Sequence, residues 1–456
     1  MRAAARATEW VPIRWEMKDL GSLALLKGTP VNCLLLPWSK PDSGALKSLT
    51  AEARSASVSA LALFTYPNGD VSDVRAALDS KVDGIVLEGD WPAGRAKAMR
   101  ESIGAKLPII ELGTRAGMRF DSQDPVVGSY QGVWPGIHLI DDSGGAEASA
   151  TGSNWIYTNS GFLKAARALT AMPIWMSVRP PPGTDISTTQ YLQAMADCEM
   201  IGARWVLTLD AAFREKLQNR VPSALKRWAA MTRLLEFFEA NRAWRSYAPF
   251  SPLTLLQSPR DGALLTGGVA DMIGASHTPL RILPPDRLRA GSLAGTSVVI
   301  NANPQRLGAA EREVLANYTK GGGMVFTAPA AWKKLTSRPN DRVILDHKDA
   351  KQLGNAWLDL EQIIRKHVLG VRLFNVPSIL FNLVESADHQ KLILELTSYA
   401  DYPAENITIH LAGKWRQVTL LQPDKPAQRL TSYPVQEGTG IDIDQIDTVA
   451  VVQAEQ

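Results

Sequence analysis

The feature that most constrains this chain is a recurrence in its first half, where short apolar, β-rich runs are separated by segments of helical period. The runs are VPIRWEM (11–17), VNCLLLPW (31–38), SALALFTY (59–66), DGIVLEGDW (83–91), PIIELGTR (108–115), VVGSYQGVWPGIHLI (126–140), PIWMSVRP (173–180) and RWVLTLD (204–210). Between them lie GALKSLTAEARSAS, DVSDVRAALDSK, AGRAKAMRESIGA, GFLKAARALTA and TTQYLQAMADCEMIGA. A near-continuous apolar strand needs cover on both faces, and amphipathic helices supply it, so the strands are expected to be parallel. About eight such units predict a (β/α)8 barrel over residues 9–247 rather than an open doubly wound sheet. The link AGMRFDSQDP after the fifth run is too short for a normal helix, so either one unit is degenerate or the strands number one fewer. The long stretch AAFREKLQNRVPSALKRWAAMTRLLEFFEANRAW after the eighth run is expected to close the barrel.

A chain of 456 residues is too long for one ordinary core. From about residue 248 the texture changes to PLTLLQSP, GGVADMIGAS, PLRILP, TSVVINAN, AAEREVLANYTKG and GMVFTAP, with glycines 321–323 as the turn before the last. Alternating strand and helix patterns predict a small open α/β domain over 248–345. A linker and helix, 346–368, lead to runs with period-two alternation: SILFNLVES, KLILELTSY, ENITIHLAG, RQVTLLQ, GIDIDQ and TVAVVQ. Turns such as DYP, QPDKP and EGTG separate them, and the expectation for 369–456 is an antiparallel β-sandwich.

Composition narrows the function classes. The formal charge of +3 comes without a dense Lys/Arg stripe or an RNA-binding signature, so nucleic acid is not an expected partner. No apolar run approaches the roughly 18 residues of a membrane span. The two cysteines, Cys33 and Cys198, lie far apart in apolar or helical patterns and read as buried, inert thiols. Only His138 of the six histidines falls in the expected barrel, so no metal site is expected. A GxSxG elbow, a P-loop and a GxGxxG fingerprint after a strand are all lacking, and no cofactor is implied. The start, MRAAARATEW, has no apolar h-region. The compartment is periplasmic or secreted if a signal peptide was removed, and otherwise cytoplasmic.

The order of barrel, small open α/β domain and sandwich resembles the family 42 glycoside hydrolases and related barrel glycosidases. Two segments carry the resemblance. SVVINANPQRLGAAEREVLANYTKGGGMVFTAP looks like their amidotransferase-like, flavodoxin-like domain, and LTSYADYPAENITIHLAG is similar to their C-terminal sandwich. The resemblance implies hydrolysis of a glycosidic bond, and hence a carbohydrate partner, at the C-terminal face of the barrel. It also implies an acid/base Glu after an Asn at the end of strand four and a nucleophilic Glu at the end of strand seven. Glu88 matches the first position, but Leu87 precedes it; strand seven carries no carboxylate and ends in Arg179. The middle domain contains no cysteine, which excludes Cys–His glutamine hydrolysis there. Packing, assembly into a homo-oligomer or lending a wall to the barrel mouth is the work left for it.

Barrel active sites lie at the C-terminal ends of the strands. The first strand delivers Trp15 and Glu16, the second Trp38, the third Tyr66, and the fourth Glu88, Asp90 and Trp91. The fifth delivers Glu111, the sixth Trp134, His138, Asp141 and Asp142, the seventh Arg179 and the eighth Asp210. Sugars need this mixture: CH faces stack on aromatic rings, hydroxyls bond to carboxylates and Arg, and cleavage needs one protonated acid and one carboxylate. Glu88, Glu111 and Asp210 are the catalytic candidates. Asp90 offers Glu88 a like charge two residues along the same strand. The loop 144–162 adds Trp155, Tyr157 and Asn159 as substrate contacts.

Each assignment has a structural counterpart. Carboxylates at strand ends also cap helices, and Asp90 could cap the segment PAGRAKAM. Asp141 and Asp142 could simply open a turn. The tryptophans could be core or inter-domain packing. The alternative to an enzyme is therefore a non-catalytic carbohydrate-binding or scaffold protein on a degenerate glycosidase fold, motivated by the missing strand-seven carboxylate.

Overall fold

The apolar runs become parallel strands because both faces of each run find cover. The computed structural model describes residues 6–39, 43–104, 107–122, 124–139, 146–148, 158–258, 269–271, 273–327, 358, 370–376 and 378–456. Eight strands form one sheet: β1 (Pro12–Arg14), β2 (Cys33–Pro37), β3 (Ser59–Thr65), β4 (Gly84–Glu88), β5 (Ile109–Gly113), β6 (Val127–Ser129), β7 (Ile174–Met176) and β8 (Arg204–Trp205). All adjacent pairs are parallel. A parallel bridge between Ile13 and Leu207 joins the last strand to the first, with Arg14 N donating to Leu207 O at 2.8 Å. The sheet is thus a (β/α)8-type barrel.

Helices α1 (Ser43–Ser55), α2 (Val71–Asp79), α3 (Ala93–Ile103), α4 (Thr188–Glu199), α5 (Ala211–Gln218) and α6 (Pro222–Ala240) alternate with these strands. No helix occurs among the described residues between Gly113 and Val127, as the short fifth link implied. The sixth run is shorter than its sequence suggested. Only Val127–Ser129 joins the barrel; Ile137–Leu139 pairs instead with Ala146–Ala148 in a separate two-stranded sheet. Trp134 therefore lies in a loop, with Pro135 and Gly136 interrupting the extended pattern before strand pairing resumes.

Side chains of Cys33, Leu35, Leu61, Leu63, Val86, Ile110, Leu112, Trp175 and Val206 form one buried cluster. These positions alternate with Leu34, Leu36, Ala60, Ala62, Phe64, Ile85 and Leu87, which are also buried. Burial of both parities is what writes an unbroken apolar run into a barrel strand. Gly128 has a specific reason to be glycine. A Cβ there would lie 2.3 Å from Leu112 Cδ2 and 2.9 Å from the carbonyl oxygen of Trp175, so backbone as well as side chain blocks it.

The chain divides into two compact units. One comprises Met1–Trp134, Leu139–Glu147 and Thr170–Ala240 and holds the barrel; the other comprises Pro135–His138, Ala148–Leu169 and Asn241–Gln456. In the second unit, Arg281–Leu283, Leu253–Leu256, Val298–Asn301 and Met324–Thr327 form a four-stranded parallel sheet in that order. The helix Ala309–Lys320 connects the last two strands. Farther along, the period-two runs become two antiparallel sheets of six and four strands. Leu394, Leu396 and Val452 from the first share a buried cluster with Ile407, Ile409, Ile441 and Ile443 from the second, the arrangement of a β-sandwich. The expected helix at 355–368 lies outside the described residues, apart from Leu358.

Substituting Gly128→Ala is expected to destabilise the barrel by about 1–3 kcal/mol through overpacking. Thermal unfolding followed by tryptophan fluorescence checks this; an unchanged midpoint would show that Trp175 and β7 can move aside.

Candidate active site

Register decides which side chains enter the barrel. Thr65 pairs with Glu88, and Glu88 with Leu112, so these three continue the inward rows of Leu63, Val86 and Ile110 toward the C-terminal mouth. Trp175, Ser177 and Arg179 alternate in the same way along β7 and its extension. Arg14 ends β1 opposite Leu35, a member of the same interior cluster.

Glu88 is 3% exposed and is the centre of this group. Its Oε2 accepts from Arg14 Nη2 in an ion pair and from Ser177 Oγ at 3.1 Å. Arg14 Nη2 also donates to Ser177 Oγ at 3.0 Å. The other oxygen, Oε1, is held more loosely: Arg179 Nε and Nη2 approach at 3.4 Å and Thr65 Oγ1 at 3.5 Å. Arg179 Nη2 donates to Thr65 Oγ1 at 3.2 Å. Every one of these partners is a donor, so both oxygens act as acceptors, an arrangement that suits the ionised carboxylate. Burial lowers the pKa of Arg14; the attraction of Glu88 opposes that shift, and the like charge of Arg179 adds to it.

The chain leaves β4 sharply. Gly89 has φ of 109°, and a Cβ there would lie 2.8 Å from Tyr66 Cβ. Strand alternation therefore stops at Glu88, and Asp90 is exposed, accepting from Tyr130 OH at 3.0 Å. This corrects two expectations. Asp90 does not continue the strand face of Glu88, and it is not the cap of α3, whose N-cap is Pro92 without a side-chain bond. Trp91 turns back, its Nε1 donating to Glu88 O at 3.1 Å. Its ring meets Tyr66 edge-on at 5.5 Å between centroids, and the Arg95 guanidinium lies 5.1 Å over it. Tyr66 is 41% exposed, so a ring edge and an indole flank the strand-four exit.

The other two catalytic candidates are engaged elsewhere. Glu111 pairs in register with Leu87, not Glu88, and so takes the opposite face of the sheet. There it binds Arg119 and, at 2.6 Å, Arg100 Nη2, beside a cavity of about 290 Å³ lined also by Trp91, Asp90 and Asp124. Asp210 caps α5, accepting from Phe213 N at 2.8 Å, and bonds Tyr191 OH at 3.1 Å. Burial first, and then the Asp210 charge, hold the Tyr191 phenol well above its ordinary pKa.

The remaining positions separate in the same way. Glu16 is ion-paired with Arg214. Trp15 is buried, and Trp38 packs on Phe64 at 5.7 Å, on the helix-facing side of β3. Trp134 is buried between Tyr191 and Trp205, at 5.2 and 4.9 Å, and its Nε1 donates to Arg179 O at 3.1 Å. Trp134 is thus a packing residue that also fixes the Arg179 backbone. Asn159 is buried ahead of the helix Ser160–Arg167 in the second compact unit. Asp141, Asp142, Trp155 and Tyr157 lie outside the described residues. Both cysteines are free and buried, with burial pushing each thiol up in pKa. Among the described residues no group of three His, Cys, Asp or Glu side chains is placed to hold a metal ion.

No family model matches the chain, and no curated protein sequence matches it. Solved structures do. The chain is similar to alpha-L-fucosidase isoenzyme 2 from Paenibacillus thiaminolyticus, with a TM-score of 0.64 at 10% identity, covering 99% of this chain and 100% of that one. The chain shares that protein's fold. Looser matches are a rhamnosidase from Novosphingobium sp. PP1Y and a trehalose-6-phosphate hydrolase from Bacillus licheniformis. The first has a TM-score of 0.41 at 10% identity, over 90% of this chain and 39% of that one. The second has a TM-score of 0.38 at 8% identity, over 96% and 94%.

Arg14 and Ser177 were not among the sequence candidates. The signal was present: Ser177 lies two residues before Arg179, and Arg14 two residues after Pro12 on an inward row, but parity alone does not say which row faces inward. Removing one member of a buried ion pair strands the other charge, so Glu88→Leu is expected to cost about 3–5 kcal/mol. The double variant Arg14→Met, Glu88→Leu is expected to lose less than Glu88→Leu alone. Denaturant unfolding checks the order, and a double variant worse than the single would refute the coupling.

Proposed function

We propose that the barrel acts on carbohydrate as a glycoside hydrolase, with Glu88 as the ionised carboxylate of the reaction. The observation that carries this reading is the placement of Glu88. It stands at the C-terminal end of β4, inside the mouth, with one oxygen anchored by Arg14 and Ser177 and the other facing Arg179 and Thr65 through long contacts. Oε1 can exchange such contacts for a substrate atom without loss of the Oε2 anchor. A carboxylate fixed in this way suits attack on, or charge stabilisation of, an oxocarbenium-like centre. Tyr66 and Trp91 at the ends of β3 and β4 supply aromatic surface for a sugar face. The whole-length likeness to a fucosidase supports the fold part of the reading.

The proton donor is assigned to no residue, and Glu111 and Asp210 are left out of the chemistry because each is bound to other partners. The family 42 resemblance supports the reading through its domain plan: a catalytic barrel, a small α/β domain and a sandwich.

A second reading, carbohydrate binding without turnover, is favoured by one observation. Among the described residues no second carboxylate shares a bond or ion pair with the Glu88 cluster. The two readings separate in one assay. Release of reducing sugar or aryl leaving group is measured across α- and β-glycosides and polysaccharides, with wild type and Glu88→Gln compared. Hydrolysis is expected, with turnover falling at least about a hundredfold in Glu88→Gln. Silence across the panel from a protein that still binds glycan would establish the second reading.

A further inference from the structure

The charge balance around Glu88 is uneven. Its carboxylate is already met by Arg14, whose side chain is fully buried, and by the Ser177 and Thr65 hydroxyls. Arg179 is a second guanidinium on the same single carboxylate. Its side chain is 48% exposed, and its 3.4 Å contacts are long beside the roughly 2.7–2.9 Å of a charge-assisted hydrogen bond. Arg14 itself has Nε and Nη1 buried with no acceptor. Among the described residues the cluster therefore holds two positive charges, one negative charge and more donors than acceptors.

The neighbouring acids among the described residues do not correct the imbalance. Glu16 is paired with Arg214, Glu111 with Arg100 and Arg119, and Asp210 caps α5 and bonds Tyr191; Asp90 accepts from Tyr130. Among the described residues, Arg179 is left as the surplus cation at the mouth. Its position is also fixed from behind, because its carbonyl accepts from the buried indole of Trp134 at 3.1 Å.

From these observations we infer that the barrel mouth recognises an anionic sugar, one bearing a carboxylate or a sulfate, and that Arg179 is the residue that meets the acidic group. The inference rests on the carbohydrate reading and names its substrate class. A planar guanidinium presents parallel N–H groups matched to the two oxygens of a carboxylate or sulfate, a fit that an ammonium lacks. The acidic group would supply the missing negative charge, while Tyr66 and Trp91 take the ring face. An uncharged sugar gives Arg179 only hydroxyls, and leaves the like-charge repulsion with Arg14 in place.

The test is titration calorimetry of the full chain with trigalacturonate, galactotriose, a sulfated chondroitin disaccharide and free sulfate. Wild type, Arg179→Gln and Arg179→Lys are compared, with circular dichroism showing that each variant is folded. Wild type is expected to bind at least one acidic sugar ten times or more tighter than galactotriose, with affinity falling as salt rises. Arg179→Gln is expected to weaken the acidic sugar at least tenfold more than it weakens galactotriose, whereas Arg179→Lys restores only part of the preference. Galactotriose bound as tightly as both acidic sugars, and equally by Arg179→Gln, would overturn the inference and leave the carbohydrate reading standing. Free sulfate bound as tightly as either acidic sugar would overturn it too, by showing an ion site that ignores the ring. Absence of binding by all four probes would also overturn it, and the glycoside turnover panel then decides the broader reading independently.

Discussion

The ion pair between Arg14 and Glu88 is the interaction on which the candidate site depends. The barrel below it is filled by Cys33, Leu35, Leu61, Leu63, Val86, Ile110, Leu112 and Trp175, a medium that cannot accept a lone charge. Placing a carboxylate at the top of that column requires a guanidinium from another strand, and β1 supplies it across the closed sheet. Closure through Ile13 and Leu207 is what brings β1 near the mouth end of β7, so the seam of the barrel and the site are one construction. A buried pair of this kind adds little stability of its own, but it fixes geometry.

Fold and chemistry separate in this protein. The likeness to an α-fucosidase extends over both whole chains at 10% identity, so the packing pattern is shared while almost every residue differs. Among the described residues the Glu88 cluster holds one carboxylate, two guanidiniums and two hydroxyls, with an aromatic pair beside it. A fold can carry many reactions, and the specific charge balance of the mouth says more about its ligand than the barrel does.

Much of the fold was legible because burial on two faces leaves a simple trace. DGIVLEGDW and PIIELGTR read as strands since neither face could meet water, and the short link after β5, which carries no helix among its described residues, already read as too short for a normal one. The sixth run misled because Pro135 and Gly136 stop strand pairing within an otherwise β-rich stretch. The site was legible only as a set of strand ends. Glu88 and Arg179 were visible in that way, and the structure brings them together. Glu111 looked equivalent to Glu88, but a strand has two faces, and the β4–β5 register put it among the helices.

The residues alone set the alternation of apolar strands and amphipathic helices, the parallel barrel that follows, the period-two sheets of the tail, and the delivery of acids and aromatics to strand ends. Those properties are local, set by side-chain polarity and by the periods of 2.0 and 3.6. It took folding to bring Arg14 onto Glu88 across 74 residues and Ser177 onto it across 89, and to make Asp210 a helix cap. Those outcomes depend on register, strand tilt and closure. A charge in a low-dielectric interior is settled by whichever partner geometry brings within a few ångströms, and no local pattern encodes that distance.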